Sequence, residues 1–79
     1  MYADKAEVLV RAAIAEALGE TQGNCDLSDN FRENLACDSL DFIEVIMKVE
    51  EHTGLVVADE DAEAWETVQD VVDYVKRQA

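Results

Sequence analysis

Proline is absent from this chain, and glycine occurs only at Gly19, Gly23 and Gly54. With so few helix breakers, and only 79 residues from which to build a core, a helical bundle made of local contacts is the easiest solution. Histidine occurs once, at His52, and no C-x-x-C spacing accompanies it, so a zinc site lacks its ligands. The two cysteines, Cys25 and Cys37, read as reduced thiols in a chain without a secretion signal. No apolar run approaches the length of a membrane span. Residues 1–20 carry Asp4, Lys5, Glu7, Arg11 and Glu16, whereas a signal peptide needs an uninterrupted apolar stretch after a basic start. The expected location is the cytoplasm, with no insertion into membranes.

Positive charge is scarce too. Six bases face nineteen acids, for a net charge of −13. Nucleic acid and anionic membranes are therefore poor partners, because binding them relies on a basic surface. The acids are also unevenly placed. Residues 38–66 hold Asp38, Asp41, Glu44, Glu50, Glu51, Asp59, Glu60, Asp61, Glu63 and Glu66 against Lys48 alone, while residues 67–79 are balanced. That concentration points to docking of basic proteins. Self-repulsion in so small a domain should also be relieved by salt, so the melting temperature is expected to rise from low to moderate ionic strength. A melting temperature indifferent to salt would show the charge to be better dispersed.

Residues 4–18 read as a first helix. Asp4 and Glu7 fit a capping box, Val10, Ile14 and Leu18 recur at helical spacing, and Gly19 stops the run. Residues 19–37 read as a long connection pinned to the core by Leu27, Phe31 and Leu35. A second helix is expected over 39–53, with Asp38 as N-cap, Asp41 at the third helical position and Gly54 as its end. Its inner face is assigned to Ile43, Ile46 and Val49, and Leu40 and Met47 fall on another part of the surface. Leu55-Val56-Val57 reads as an extended connector with buried side chains, since a lone strand has no pairing partner.

A short acidic helix over 59–65 follows, with Ala62 and Trp65 inward. Thr67 then caps a last helix with Asp70 at its third position, Val68, Val71, Val72 and Val75 as its apolar face, and Lys76 and Arg77 at its negative end. The fold class is all-α. A four-helix bundle spans one domain over 1–79, with three longer helices, a short third one, and a long loop between the first two.

Asp38-Ser39-Leu40-Asp41 is the stretch that carries chemistry. A serine just after a capping aspartate is exposed and lies near the positive end of a helix dipole, an environment that accommodates an attached phosphate. A nucleophilic serine needs a base, and His52 lies roughly 20 Å along the same helix at the usual rise. Ser39 therefore receives chemistry from another enzyme and performs none itself. Calcium fares no better at Asp59-Glu60-Asp61-Ala62-Glu63, where Ala64 replaces the glycine that an EF-hand loop requires and Asp70 replaces its closing glutamate. No metal site is expected.

The run Phe31-Arg32-Glu33-Asn34-Leu35-Ala36-Cys37-Asp38-Ser39-Leu40-Asp41 resembles the segment leading into the modified serine of acyl carrier proteins. The likeness continues through Glu44-Val45-Ile46-Met47, Glu50-Glu51, Asp59-Glu60-Asp61-Ala62-Glu63 and the Thr67-Val68-Gln69-Asp70 to Asp73-Tyr74-Val75 ending. It implies a noncatalytic, monomeric carrier with 4′-phosphopantetheine, derived from coenzyme A, on Ser39. Acyl groups would travel as thioesters on the arm's thiol. By the same resemblance Asp38 helps present Ser39 to the phosphopantetheinyl transferase. Leu40 and Met47 give apolar contacts, and Asp41, Glu44, Glu50 and Glu51 meet the basic docking patches of acyl-transferring or condensing enzymes. Such charges speed and orient encounter while small apolar contacts permit release.

Several residues depart from the family pattern. Ala36-Cys37 stands where Gly-Ala is usual, Phe42 where a small or polar residue is common, and Thr53 where a large apolar one is frequent. Val57-Ala58 replaces Ile-Pro, and Trp65 replaces an aliphatic residue. The resemblance places the acyl pocket at Phe42, Ile46, Val57, Ala62 and Trp65, whose unusual members reshape the space between the helices. The cargo implied is a fatty acyl chain or a specialised lipid or polyketide intermediate. An aminoacyl cargo is the alternative, and an acidic interaction module with no prosthetic group is the rival of a different class.

Overall fold

Among the described residues, three apolar stripes, on the first, third and last of five helices, meet in one core. The computed structural model describes residues 2–78, with side chains from Lys5 onward. In chain order the helices are α1 (Tyr2–Leu18), α2 (Glu20–Gly23), α3 (Ser39–Thr53), α4 (Asp59–Glu63) and α5 (Val68–Gln78). The class is all-α. Among the described residues the one isolated pairing of extended backbone is the antiparallel bridge between Asn30 and Thr67.

In α1, Ala6, Val10, Ala13 and Ile14 are buried, and the helix packs on both α3 and α5. It begins before Asp4, whose proposed capping side chain lies outside those described. Gly19 ends it at a φ of 114°, a conformation that a side chain would strain.

The turn α2 departs from expectation, since residues 19–37 read as a connection without helix. Its cause is a close approach that periodicity does not reveal. A Cβ at Gly23 would sit 2.8 Å from that of Ala15, so only glycine lets this turn lie against α1. The Arg11 guanidinium, held 2.9 Å from Glu7, donates to the carbonyls of Gly23 and Cys25 and ties the segment down.

Helix α3 keeps the expected bounds. Gly54 closes it in the left-handed conformation, at φ 75°, and donates to the Glu50 carbonyl at 2.8 Å. Its inward face differs from the one assigned. Val45, Val49 and Thr53 are buried and Ile46 is half-buried, whereas Ile43 faces solvent. Apolar residues encircle this helix, so the phase of its stripe is set by what it packs against. Thr53 joins the buried side because its hydroxyl donates to the Val49 carbonyl at 2.7 Å and accepts from the Leu55 N–H at 3.2 Å. In the connector Val57 is buried but Val56 is 90% exposed, against the expectation that all three residues turn inward.

Helix α4 ends at Glu63, earlier than expected, yet Ala62 and Trp65 are both buried. Its acids lie on a helix, not in a calcium-binding loop. At the start of α5, Asp70 Oδ2 accepts from the N–H groups of Glu66 and Thr67 at 2.9 and 3.0 Å, and Thr67 Oγ1 accepts from Asp70 N at 3.3 Å. The four expected valines of α5 are buried, and Tyr74 joins them.

The long segment before α3 is locked to the start of α5. Phe31 N donates to Glu66 O at 3.0 Å, Val68 N to Asp29 O at 3.1 Å and Gln69 N to Leu27 O at 2.8 Å. Asn30 Oδ1 accepts from Arg32 N and Glu33 N, and Asn34 Oδ1 accepts from Asn30 N. With its backbone groups satisfied in this way, the segment can press Phe31 into the core and Leu27 and Leu35 against it.

Candidate functional site

Ser39 is the first residue of α3 and is exposed. The preceding Asp38 has extended backbone and forms the capping box the sequence implied. Asp41 N donates to Asp38 Oδ1 at 2.9 Å, and Asp38 N donates to Asp41 Oδ2 at 3.4 Å. Two carboxylates thereby hold the turn that carries Ser39, while the aligned peptide dipoles of α3 place a partial positive charge beside it.

Upstream, Ala36 is forced to a φ of 52°. The left-handed region costs a residue with a Cβ about 1–2 kcal/mol, and a glycine there gives back about 0.4–1 kcal/mol in unfolded-chain entropy. Ala36→Gly is therefore expected to raise the melting temperature by about 2–6 °C, read from a thermal melt. A lower melting temperature would mean the turn is unstrained.

Cys37 is buried, with its N–H donating to Phe31 O at 2.8 Å. Burial, followed by the carboxylates of Asp41 and Asp38, pushes its thiol up to about 11, against a smaller opposing pull from Arg32. It is an inert thiol beside the serine, since thiolate is the reactive form. Because the folded protein holds this proton more tightly than the unfolded chain does, the associated stability is complete below pH 9. It is lost as pH rises toward 11. Burial raises the Tyr74 hydroxyl in the same sense, with Asp61 adding to it. Melting temperatures between pH 8 and 11 should fall, and less steeply for Cys37→Ala. Parallel curves for the two proteins would contradict this origin.

Beyond Ser39, α3 exposes a stripe of Leu40 (75% exposed), Ile43 (52%) and Met47 (47%). Ile43 is the member that the sequence reading assigned to the core, although its spacing from Leu40 and Met47 already places it on their side. Glu44 and Glu51 are exposed beside the stripe, and Glu51 lies 3.5 Å from Lys48. Glu50 is half-buried, and its Oε2 accepts from Val57 N at 2.8 Å, so it also holds the connector. Lys48 and His52 reach across to Glu16 of α1, at 3.8 and 2.5 Å. His52 thus belongs to a contact at the far end of α3 from Ser39.

The expected pocket residues are divided. Phe42, Ile46 and Ala62 line a groove of about 320 Å³ between α3 and α4, together with Ile43, Asp59 and Glu63. Phe42 and Trp65 also line a hollow of about 220 Å³ with Asn30, Phe31, Arg32 and Glu66. Val57 is buried and lines neither. Trp65 meets Phe42 edge-to-face at 6.4 Å between centroids and Tyr74 at 5.4 Å.

Residues 8–75 match the family model described as the phosphopantetheine attachment site. The chain is 40% identical over 74 residues to the acyl carrier protein of Rubrobacter xylanophilus, covering 91% of each. It is 39% identical over 69 residues to that of Exiguobacterium sibiricum, covering 87% of each. The chain belongs to the acyl carrier protein family.

Acyl carrier proteins are carriers and not enzymes, and the cofactor of this family is 4′-phosphopantetheine. They work with phosphopantetheinyl transferases and acyl-handling enzymes. Among the described residues no helix is long and apolar enough to cross a membrane.

Proposed function

We propose that Ser39 is the residue of this acyl carrier chain that bears the arm, as a phosphodiester. The observation that carries this reading is its place: an exposed hydroxyl at the first position of α3, within Asp38-Ser39-Leu40 and within the matched span. The residues fit the group. An exposed hydroxyl lets the phosphodiester remain hydrated, and the dipole of α3 offsets part of its charge. In the transfer the Ser39 oxygen bonds to the phosphorus of coenzyme A that carries the pantetheine. The nucleotide half leaves with the bridging oxygen, and the hydroxyl proton goes to a base of the transferase. The base comes from the transferase because His52 sits at the other end of α3. Once attached, the arm's thiol carries acyl groups between enzymes.

On this reading residues 1–79 act as one monomeric carrier domain in the cytoplasm. Helices α1, α3, α4 and α5 are the four members of its bundle, and α2 is a turn within the long connection. Leu40, Ile43 and Met47 are the apolar contact to partners. Asp38, Asp41, Glu44, Glu50 and Glu51 surround it with charge for the basic patches of the transferase and of acyl-transferring or condensing enzymes. The pathway is fatty acid synthesis or a specialised lipid or polyketide route.

The test is direct. Incubation with coenzyme A and a broad-specificity phosphopantetheinyl transferase should add the mass of one arm, and peptide mapping should find it on Ser39. An unchanged mass, or an arm on another residue, would refute the assignment.

A further inference from the structure

We propose that the interior of this carrier is closed to its cargo by a chain of aromatic rings, so that the group it carries is a short acyl chain kept at the surface. The inference rests on arm attachment at Ser39 and adds the class of cargo. Four rings from four parts of the chain meet in series. Phe31, in the segment before α3, packs edge-to-face on Phe42 of α3 at 5.5 Å. Phe42 meets Trp65, in the turn between α4 and α5, and Trp65 meets Tyr74 of α5. Phe31, Trp65 and Tyr74 are buried, and Phe42 is half-buried. At the far end of the series the Arg77 guanidinium lies 6.0 Å from the Tyr74 ring centre.

An alkyl chain entering between α3 and α5 must displace Trp65, and that breaks its contacts with Phe42 and Tyr74 together. Close-packed interiors do not yield by small amounts, and edge-to-face rings hold one another beyond the area they bury. What remains beside α3 is the open groove floored by Phe42, Ile43, Ile46 and Ala62, with Asp59 and Glu63 at its edge. That groove is open to solvent along its length, so a chain lying against it stays largely in water.

The experiment loads the full chain from acetyl-coenzyme A and from octanoyl-coenzyme A with the broad-specificity transferase and compares the two products. Their melting temperatures should agree within about 2 °C, whereas burying the additional methylenes would raise the octanoyl form by at least about 10 °C. The chain has a single tryptophan, so fluorescence emission reports on Trp65 alone and should be the same in both forms. In Trp65→Leu, which removes the middle of the series, the octanoyl form should melt above the acetyl form. An octanoyl wild type that melts well above its acetyl counterpart, with shifted emission, overturns closure and leaves attachment standing. A protein that accepts neither arm overturns attachment at Ser39 and, with it, the cargo class.

Discussion

Ser39→Ala is expected to abolish arm attachment completely while leaving the melting temperature within about 2 °C of wild type. The two halves of this result have separate causes. The hydroxyl oxygen is the atom that bonds to phosphorus, so its removal leaves no acceptor, and the loss is total instead of graded. The fold has little stake in it. Ser39 is exposed, and its hydroxyl enters no hydrogen bond among the described residues. Alanine at a first helical position is also a good helix former. The capping box of Asp38 and Asp41 uses backbone N–H groups and side chains that the substitution leaves in place.

Glu44→Lys is the informative companion. Glu44 is exposed beside the apolar stripe and, among the described residues, makes no fold contact of the kind Glu50 makes, so reversing its charge should slow loading by about tenfold at low salt, with a smaller effect at high salt. The rival view of an acidic interaction module with no prosthetic group inverts this pattern, making Ser39→Ala silent. Mass spectrometry of the two variants after incubation with coenzyme A separates the readings. An arm on Ser39→Ala would sink the assignment, whatever the behaviour of Glu44→Lys.

What was legible in the sequence was local. The bounds of α3 followed from Asp38, Asp41 and Gly54, all within a turn of the ends they define. Thr67, Asp70 and the valines of α5 were equally plain, because capping and amphipathic spacing are properties of neighbours in the chain. Ser39 was legible for the same reason.

The misreadings share a different cause. Ile43 is read inward because seven apolar residues encircle α3, and its spacing from Leu40 and Met47 outweighs that reading once α3 packs on α1. Gly23 betrayed nothing of its contact with Ala15, and the turn α2 was missed with it. The lock between residues 27–31 and 66–69 joins backbone far apart in sequence, where no local pattern operates. Tyr74 is absent from the apolar face read for α5, yet it is buried there with the four valines. Cys37 stands out beside Ser39 in the sequence, and its burial, with Asp38 and Asp41 close by, explains why it is chemically quiet.

Phe31→Ala should come close to unfolding the protein. Phe31 is 1% exposed and, among the described residues, is the largest fully buried side chain, although it belongs to no helix. Deleting such a ring costs about 3–5 kcal/mol through lost transfer energy and the cavity left behind. A domain of this size has about 5–10 kcal/mol in all, so from about a third to nearly all of its stability goes. The expected fall in melting temperature is at least about 12 °C. Phe31→Leu, which keeps most of the volume, should cost less than about 1.5 kcal/mol.

The ring also holds two backbone contacts in place. Its own N–H donates to Glu66 O, joining the segment to α5, and its carbonyl accepts from Cys37 N, just before the turn that presents Ser39. Losing the ring should therefore loosen both ends. Amide exchange at Cys37 and Phe31 should accelerate before that of the α1 and α5 amides, and arm loading should slow even at temperatures where those helices persist. A fall in melting temperature below about 4 °C, with unchanged exchange at Cys37, would show that Leu27 and Leu35 suffice to anchor the segment. The aromatic ring would then be a passenger in the core instead of its link to the site.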